Sequence, residues 1–294
     1  MRRRYPGTIL LSLAIMMVIF VFSSNGLQAQ ETAETWLKMA RQYGKDGYIG
    51  LAAKAYSNVI ALDSKNIEAY FSRGRIYSLL TLHDKALADF DKSIALDKTF
   101  AKGYHGRGII YEKQGKINKA IEAYSSAIKY DPESGISYFC RGYCYNLKER
   151  YEKAIADLNK DIKLRPNNVM SYFYRGHSLS RRGDYNSAIK DYMTVLTFER
   201  DDFVTLNNMA DCYLKSGQPE AGLHYLATAL KKAPSEPILY MTLGELFEAQ
   251  KRTTDALEAY QRCRELASAN KDNNWLVKEA DKKIEELGKK QQKS

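Results

Sequence analysis

Apolar and small residues recur along this chain at an interval of 34, and inside each interval they fall three or four apart, the spacing of one face of a helix. Cut from Ala33, the intervals begin at Ala33, Ile67, Ala101, Gly135, Val169, Phe203 and Pro237, and the seventh ends at Asn270 without gap or insertion. Position 4 is Trp36, Tyr70, Tyr104, Tyr138, Tyr172, Leu206 and Tyr240, and position 11 is Tyr43, Tyr77, Tyr111, Tyr145, Leu179, Tyr213 and Phe247. Between them, position 8 is always Gly or Ala, from Ala40 and Gly74 to Gly244. These three positions share one face of a first helix. Positions 20, 24 and 27 share one face of a second, with a small residue at 20 (Ala52 to Ala256, Gly222 among them) and a ring or leucine at 24. Small residues at 8 and 20 let the two helices approach, and the large side chains fill the space beside them. A Gly, Thr or charged residue near position 15 makes the turn. Pro132, Pro166 and Pro234 end three of the second helices, and Asp97 and Asp131 mark a polar exit.

Past Asn270 the interval ends. Trp275, Leu276, Ala280, Ile284 and Leu287 lie close to one helical stripe, which predicts a capping helix over 271–288, stopped by Gly288, with a frayed tail over 289–294.

This pattern, aromatic-x2-Leu-Gly-x2-Tyr, then Ala-x3-Phe, then Pro, resembles the tetratricopeptide repeat (TPR) family across residues 33–270. The units are 33–66, 67–100, 101–134, 135–168, 169–202, 203–236 and 237–270. The resemblance implies an all-α, right-handed α-solenoid of helical hairpins, closed by the C-terminal capping helix. It is specific for fold and weak for function. The pentatricopeptide family, which reads RNA, has a period one residue longer, and the strict interval argues against it.

Where the family usually has leucine at position 7, units two to five carry Arg73, Arg107, Arg141 and Arg175. Position 23 is Asp89, Asp157 and Asp191 in three of those units, and none of the units without arginine has a carboxylate there. The covariation predicts three structural pairs, Arg73–Asp89, Arg141–Asp157 and Arg175–Asp191, bridging the two helices of a unit in the bidentate geometry guanidinium favours. Unit three departs from this, with Ala123 at position 23 and Glu122 one place earlier. Asp161, a carboxylate at the normally apolar position 27, is expected to face Arg141 or Arg175.

In the family the first helices line a concave surface, so the resemblance implies that positions 2, 5, 9, 12 and 13 face a groove. The candidate partner-binding residues at positions 5 and 9 are Phe71, Arg75, His105, Ile109, Phe139, Tyr143, Phe173 and His177. Their middle is aromatic and apolar, one end basic (Arg41, Lys45, Arg75) and the other acidic (Asp211, Glu245, Glu248). Packing between adjacent helices is the alternative use of position 5. Some family members hold a C-terminal carboxylate with Lys at position 5 and Asn at position 9 of the first unit and Asn at position 6 of the second. Here those positions are Leu37, Arg41 and Ser72, so that clamp is not expected.

Ahead of the repeats, Arg2, Arg3 and Arg4 precede an uncharged, mostly apolar stretch from Thr8 to Phe22, then Ser23–Gly26, with Ala29 at a plausible cleavage edge. Residues 1–29 therefore read as a secretion signal of bacterial kind or as an uncleaved anchor, the stretch being short for a membrane span. Either way the repeats are expected outside the cytoplasm, in the periplasm or at the cell surface. Any membrane contact is expected only through an uncleaved segment.

Composition changes this picture little. The chain has 294 residues, 45% hydrophobic and 27% charged, a globular balance. The formal charge is +10; without Arg2, Arg3 and Arg4, 42 basic residues face 35 acidic ones, or +7. No basic run with interleaved aromatics predicts nucleic-acid binding. Cys140, Cys144, Cys212 and Cys263 fall where small buried residues belong, and no cysteine–histidine spacing suggests a metal. His83, His105, His177 and His224 are scattered, and no nucleophile is paired with a base. No cofactor and no enzyme activity are expected. The partner implied is another protein or peptide segment, in a scaffold that assembles an envelope complex; the alternatives are a membrane-anchored regulator and an accessory subunit of a secretion or polysaccharide-export machine.

Overall fold

The computed structural model describes residues 32–199 and 202–291. The N-terminal segment read as a signal or anchor lies outside them. The described residues hold fifteen α-helices and no strand. The first helices of the hairpins are α1 (Ala33–Lys45), α3 (Ile67–Leu79), α5 (Ala101–Lys113), α7 (Gly135–Leu147), α9 (Val169–Arg181), α11 (Phe203–Lys215) and α13 (Pro237–Ala249). The second helices are α2 (Ile49–Leu62), α4 (His83–Leu96), α6 (Ile117–Tyr130), α8 (Tyr151–Leu164), α10 (Tyr185–Phe198), α12 (Pro219–Lys232) and α14 (Thr253–Ser268). A short 3-10 turn, Lys271–Asn273, leads into α15 (Asn274–Gln291). No helix among the described residues is long and apolar enough to cross a membrane.

Every hairpin turns in the same way. Position 15 is left-handed in all seven, with φ between 55° and 88° at Gly47, Thr81, Gly115, Glu149, Gly183, Gly217 and Lys251. The next N–H then donates to the carbonyl of position 11, as from Tyr48 to Tyr43 at 2.9 Å and from Leu82 to Tyr77 at 2.8 Å. That six-to-one bond is the Schellman closure, which satisfies a carbonyl the helix end would leave bare.

The contact between the two helices is built from the small residue at position 8 and the large one at position 24. Phe90, Tyr124, Leu158, Tyr192, Leu226 and Tyr260, all at position 24, are among the largest fully buried side chains. A methyl group on Gly74, Gly142 or Gly176 would lie 3.0 Å from Phe90, Leu158 or Tyr192 respectively, so these backbones pass closer than any residue with a Cβ allows at ease.

The chain forms two compact units, the first ending at Ile110 and the second beginning at Tyr111, within α5. In the first, α1 packs on α2, α2 on α3 and α3 on α4. In the second, each second helix packs on the first helix of the following hairpin, and the first helices α7, α9, α11 and α13 touch in succession.

The C-terminal helix covers the end of the second unit. Leu276, Ala280 and Leu287 are buried against Ala256, Tyr260, Cys263 and Ala267, with Ile284 half-buried beside them. Two sequence expectations need correction here. Trp275 is not on the buried stripe: it is 59% exposed, because one residue before buried Leu276 it projects from a different face of α15 than Leu276, Ala280 and Leu287. Gly288 does not stop the helix, which continues to Gln291, so 289–291 is helical rather than frayed. A glycine ends a helix by turning left-handed, and Gly288 keeps negative φ, while Lys289 reaches back one turn to Glu285.

Candidate partner-binding site

The first helices present a ladder of arginines at position 7. Arg73 donates from Nε and Nη2 to the two oxygens of Asp89, each at 2.8 Å, and from Nη1 to Ser57 Oγ at 2.9 Å. Arg141 repeats this with Asp157 at 2.7 and 2.8 Å and Ser125 at 3.0 Å. Arg175 repeats it with Asp191 at 2.8 and 2.6 Å and Asn159 at 2.6 Å. Each carboxylate is buried while its arginine keeps some exposure. Ser57, Ser125 and Asn159 all stand at position 25 of the preceding hairpin, so each guanidinium ties its own two helices together and also reaches the hairpin before. Tyrosines one turn away flank the cation: Tyr70 and Tyr77 at 5.9 and 5.7 Å from Arg73, Tyr138 and Tyr145 at 5.8 and 5.9 Å from Arg141. Arg107, whose hairpin has alanine at position 23, turns instead to Asp91 at position 25 of the preceding hairpin, at 3.2 Å.

The position-25 partners were invisible to a search within one repeat. The signal existed: Ser57, Asp91, Ser125 and Asn159 are polar in the four units that precede an arginine, whereas the next two units, which precede none, have Met193 and Ala227.

In the second unit, Phe139 and Tyr143 on α7 and Phe173 on α9 gather around Tyr174. Ring centroids lie 6.1 Å (Phe139), 4.9 Å (Tyr143) and 5.4 Å (Phe173) from Tyr174. All four rings are half-buried. Phe173 also leans on Tyr192 at 6.1 Å and on the core beneath α10, so position 5 both packs and shows a face. Tyr174 was missed because position 6 carries no ring in the other six units, which is itself the departure that marks it. Its carbonyl accepts from Asn146 Nδ2 at 3.0 Å, and Asn146 also donates to Ser178 Oγ at 2.8 Å. With both amide protons used, Asn146 Oδ1 faces His177 Nδ1 at 3.0 Å, which places the imidazole proton on Nδ1. Burial, helped by nearby Arg181, lowers the His177 pKa, so the ring is neutral at neutral pH.

The other candidates lie in the first unit. Phe71 on α3 is half-buried, its ring 5.4 Å from Phe100 and 5.9 Å from Phe90, and the Arg75 guanidinium sits 5.9 Å from the Phe71 ring. His105 and Ile109 are half-buried on α5. The structure thus brings Phe139, Tyr143, Phe173 and His177 together through Tyr174 and Asn146, and Phe71 with Arg75 separately.

The charged ends are more nearly neutral than the sequence suggests. Arg41 donates from Nε to Glu68 Oε1 at 2.7 Å, with a second bond from Nη2 to Oε2. Asp211 accepts from Lys215 at 2.7 Å, and Glu248 accepts from Lys283 of α15 and from Tyr260. Asp161 faces neither Arg141 nor Arg175. It accepts from Arg165 Nε at 2.6 Å, from Asn168 Nδ2 at 2.8 Å and from Ser171 Oγ, tying the end of α8 to α9. The reason is reach: position 27 lies at the loop end of the hairpin, level with the loop's own polar residues.

The half-buried Glu112 carboxylate accepts from Tyr124 at 2.8 Å, and burial raises its pKa. Beside it the Cys140 thiol is pushed up to about 12 by burial, with Glu112 adding to the shift. All four cysteines are free, three of them buried. Among the described residues no group of three or more His, Cys, Asp or Glu side chains is arranged to hold a metal ion.

A stack of helical hairpins with an invariant small-residue contact and a polar ladder is the architecture of a helical repeat protein. Sequence patterns of the tetratricopeptide repeat match residues 67–100, 101–134, 137–168 and 207–271, together more than half of the chain, which therefore belongs to that family. No curated protein matches it. Among solved structures it resembles a tetratricopeptide repeat protein from Parabacteroides merdae at 16% identity and TM-score 0.58, covering 84% of this chain and 98% of that one. The C-terminal part of a TPR repeat-containing protein from Cytophaga hutchinsonii is similar at 17% identity and TM-score 0.62, covering 82% and 99%. YrrB, described as a TPR protein with an unusual peptide-binding site, is similar at 22% identity and TM-score 0.61, covering 64% and 97%.

Proposed function

We propose that this protein is a non-catalytic interaction scaffold that takes a peptide or protein segment on its first helices, outside the cytoplasm, in the assembly of a bacterial envelope complex. The observation that carries the reading is the Phe139, Tyr143, Phe173 and Tyr174 cluster. Four rings are brought together by two neighbouring first helices, held by the hydrogen bonds of Asn146, and left partly exposed to solvent. Rigid aromatic anchors of this kind carry most of the binding energy where proteins meet. The peptide-binding site for which YrrB is described lends the fold a precedent. Export rests on Arg2, Arg3 and Arg4 followed by the apolar stretch from Thr8 to Phe22.

Selection of peptides from a random displayed library, followed by calorimetry, tests the binding reading. Selected peptides should bind the full chain and lose at least about tenfold in affinity to the F139A/F173A variant, with helical circular dichroism retained. Unchanged affinity in that variant, or a library that yields no binder, refutes it. N-terminal sequencing of protein recovered from the cell envelope tests export: a start near Gln30 means a cleaved signal, a start at the N-terminus with membrane retention means an anchor, and recovery from the cytoplasm overturns both.

A further inference from the structure

We infer that the first unit carries a second, electrostatically selective subsite for an acidic segment of a partner protein, one with carboxylates flanking an aromatic or aliphatic residue. This rests on the reading above that the chain takes peptides, and it names the chemistry of one stretch.

The subsite is an open hollow lined by Ile67, Glu68, Phe71, Ser72, Phe100 and Lys102. Its floor is apolar: the Phe71 ring meets Phe100 edge-on at 5.4 Å, and Ile67 lies alongside. That floor suits one apolar side chain. The rim decides what flanks it. Glu68 is the one carboxylate in the lining, and Arg41 engages both of its oxygens, so it offers little repulsion to an incoming anion. Two exposed cations are left over. Lys102 is part of the lining, and Arg75 stands over the Phe71 ring at 5.9 Å; neither has a carboxylate partner among the described residues.

The contrast with the arginine ladder sharpens the point. Arg73, two residues from Arg75, has each of its three nitrogens bonded to Asp89 or Ser57, and its charge is already paired with the Asp89 carboxylate. Arg75 keeps its fork free of any carboxylate and holds its charge 5.9 Å from the Phe71 ring centre, where it can take a carboxylate in bidentate fashion. Uncompensated cations beside an apolar floor select acidic partners over basic ones and speed their encounter, in a salt-dependent way.

The test uses the full chain and two short peptides carrying a neutral fluorophore, one alternating glutamate and phenylalanine, the other lysine and phenylalanine, read by fluorescence anisotropy. The acidic peptide should bind, the basic one about tenfold or more weakly, and the difference should shrink in high salt. R75E/K102E, two exposed positions, should weaken the acidic peptide about tenfold. E68Q should strengthen it severalfold by releasing Arg41, a gain that misfolding cannot imitate. Equal affinity for the two peptides, no binding of the acidic one, or indifference to R75E/K102E overturns the subsite. If binding survives R75E/K102E but is lost in F139A/F173A, the scaffold reading stands and this assignment falls.

Discussion

Arg107 Nη1 reaches Asp91 Oδ1 at 3.2 Å across the gap between two hairpins, where the other three ladder arginines also hold a carboxylate of their own hairpin. The carboxylate has in effect moved from position 23 to position 25 of the preceding unit, and the cation has followed it. The ladder is thus defined by a guanidinium at position 7 that must be satisfied, not by a fixed pair of positions. Asp91 is half exposed, whereas Asp89, Asp157 and Asp191 are buried. The Arg107 bridge is therefore the weakest rung.

Breaking a buried rung should be costly in one direction only. Arg141→Ala leaves the Asp157 carboxylate buried beside no cation, and about 2–4 kcal/mol of stability should be lost, measured by urea unfolding. Replacing both partners, as Arg141→Met with Asp157→Leu, should recover most of that loss, because neither charge then remains to be desolvated. Arg107→Ala should cost less than about 1 kcal/mol.

The turn at position 15 predicts a gain. Thr81 holds φ at 58°, a conformation that a β-branched residue tolerates poorly and glycine adopts freely. Thr81→Gly should stabilise the chain by about 1 kcal/mol and raise the midpoint of thermal unfolding. A loss of stability would mean that the Thr81 side chain contributes packing that outweighs the backbone strain.

Two glycines should respond to alanine with opposite signs. A methyl group at Gly244 would collide with the Tyr260 ring, which is fully buried and has nowhere to go, so Gly244→Ala should lose about 1–3 kcal/mol. Gly44 lies in the last turn of α1 with nothing within 4 Å of a would-be Cβ. Gly44→Ala should gain about 0.5–1 kcal/mol by restricting the unfolded chain. Chemical denaturation of the two variants, run together, checks both.

Stability should also fall with rising pH through one identifiable carboxylate. Burial raises the Glu245 pKa above its ordinary 4.5, reinforced by Asp211 and Glu248 and opposed by Lys283 and Lys215. Between 4.5 and that raised value the folded state holds the proton that the unfolded chain has released. Glu245 therefore favours folding most below 4.5, and the advantage is lost as pH climbs through the folded pKa. Glu245→Gln should flatten this decline and be more stable than the parent at neutral pH, by about 0.5–1 kcal/mol. Parallel unfolding curves from pH 4 to 8 for the two proteins measure it; a constant difference across that range would remove Glu245 from the account.

The hairpins, their order and their turns were legible in the sequence, because the information is local. A residue that must be small at position 8 and large at 24 leaves its mark in every repeat, and the left-handed position 15 shows as glycine in four of the seven. The three arginine–aspartate pairs were legible as well, since both members vary together within one unit. Tertiary structure decided what lies between units. The position-25 partners, the turn of Arg107 toward Asp91, and the escape of Asp161 from the ladder to its own loop depend on which hairpin stacks on which and how deep each position sits. The aromatic positions showed the same limit. A phenylalanine at position 5 reads alike whether it packs or faces solvent, and only the placement of Tyr174 beside Phe139, Tyr143 and Phe173 made one of those sites a cluster. Local periodicity sets the helices; the distances between side chains far apart in the chain, and with them burial and charge, exist only once the helices have packed.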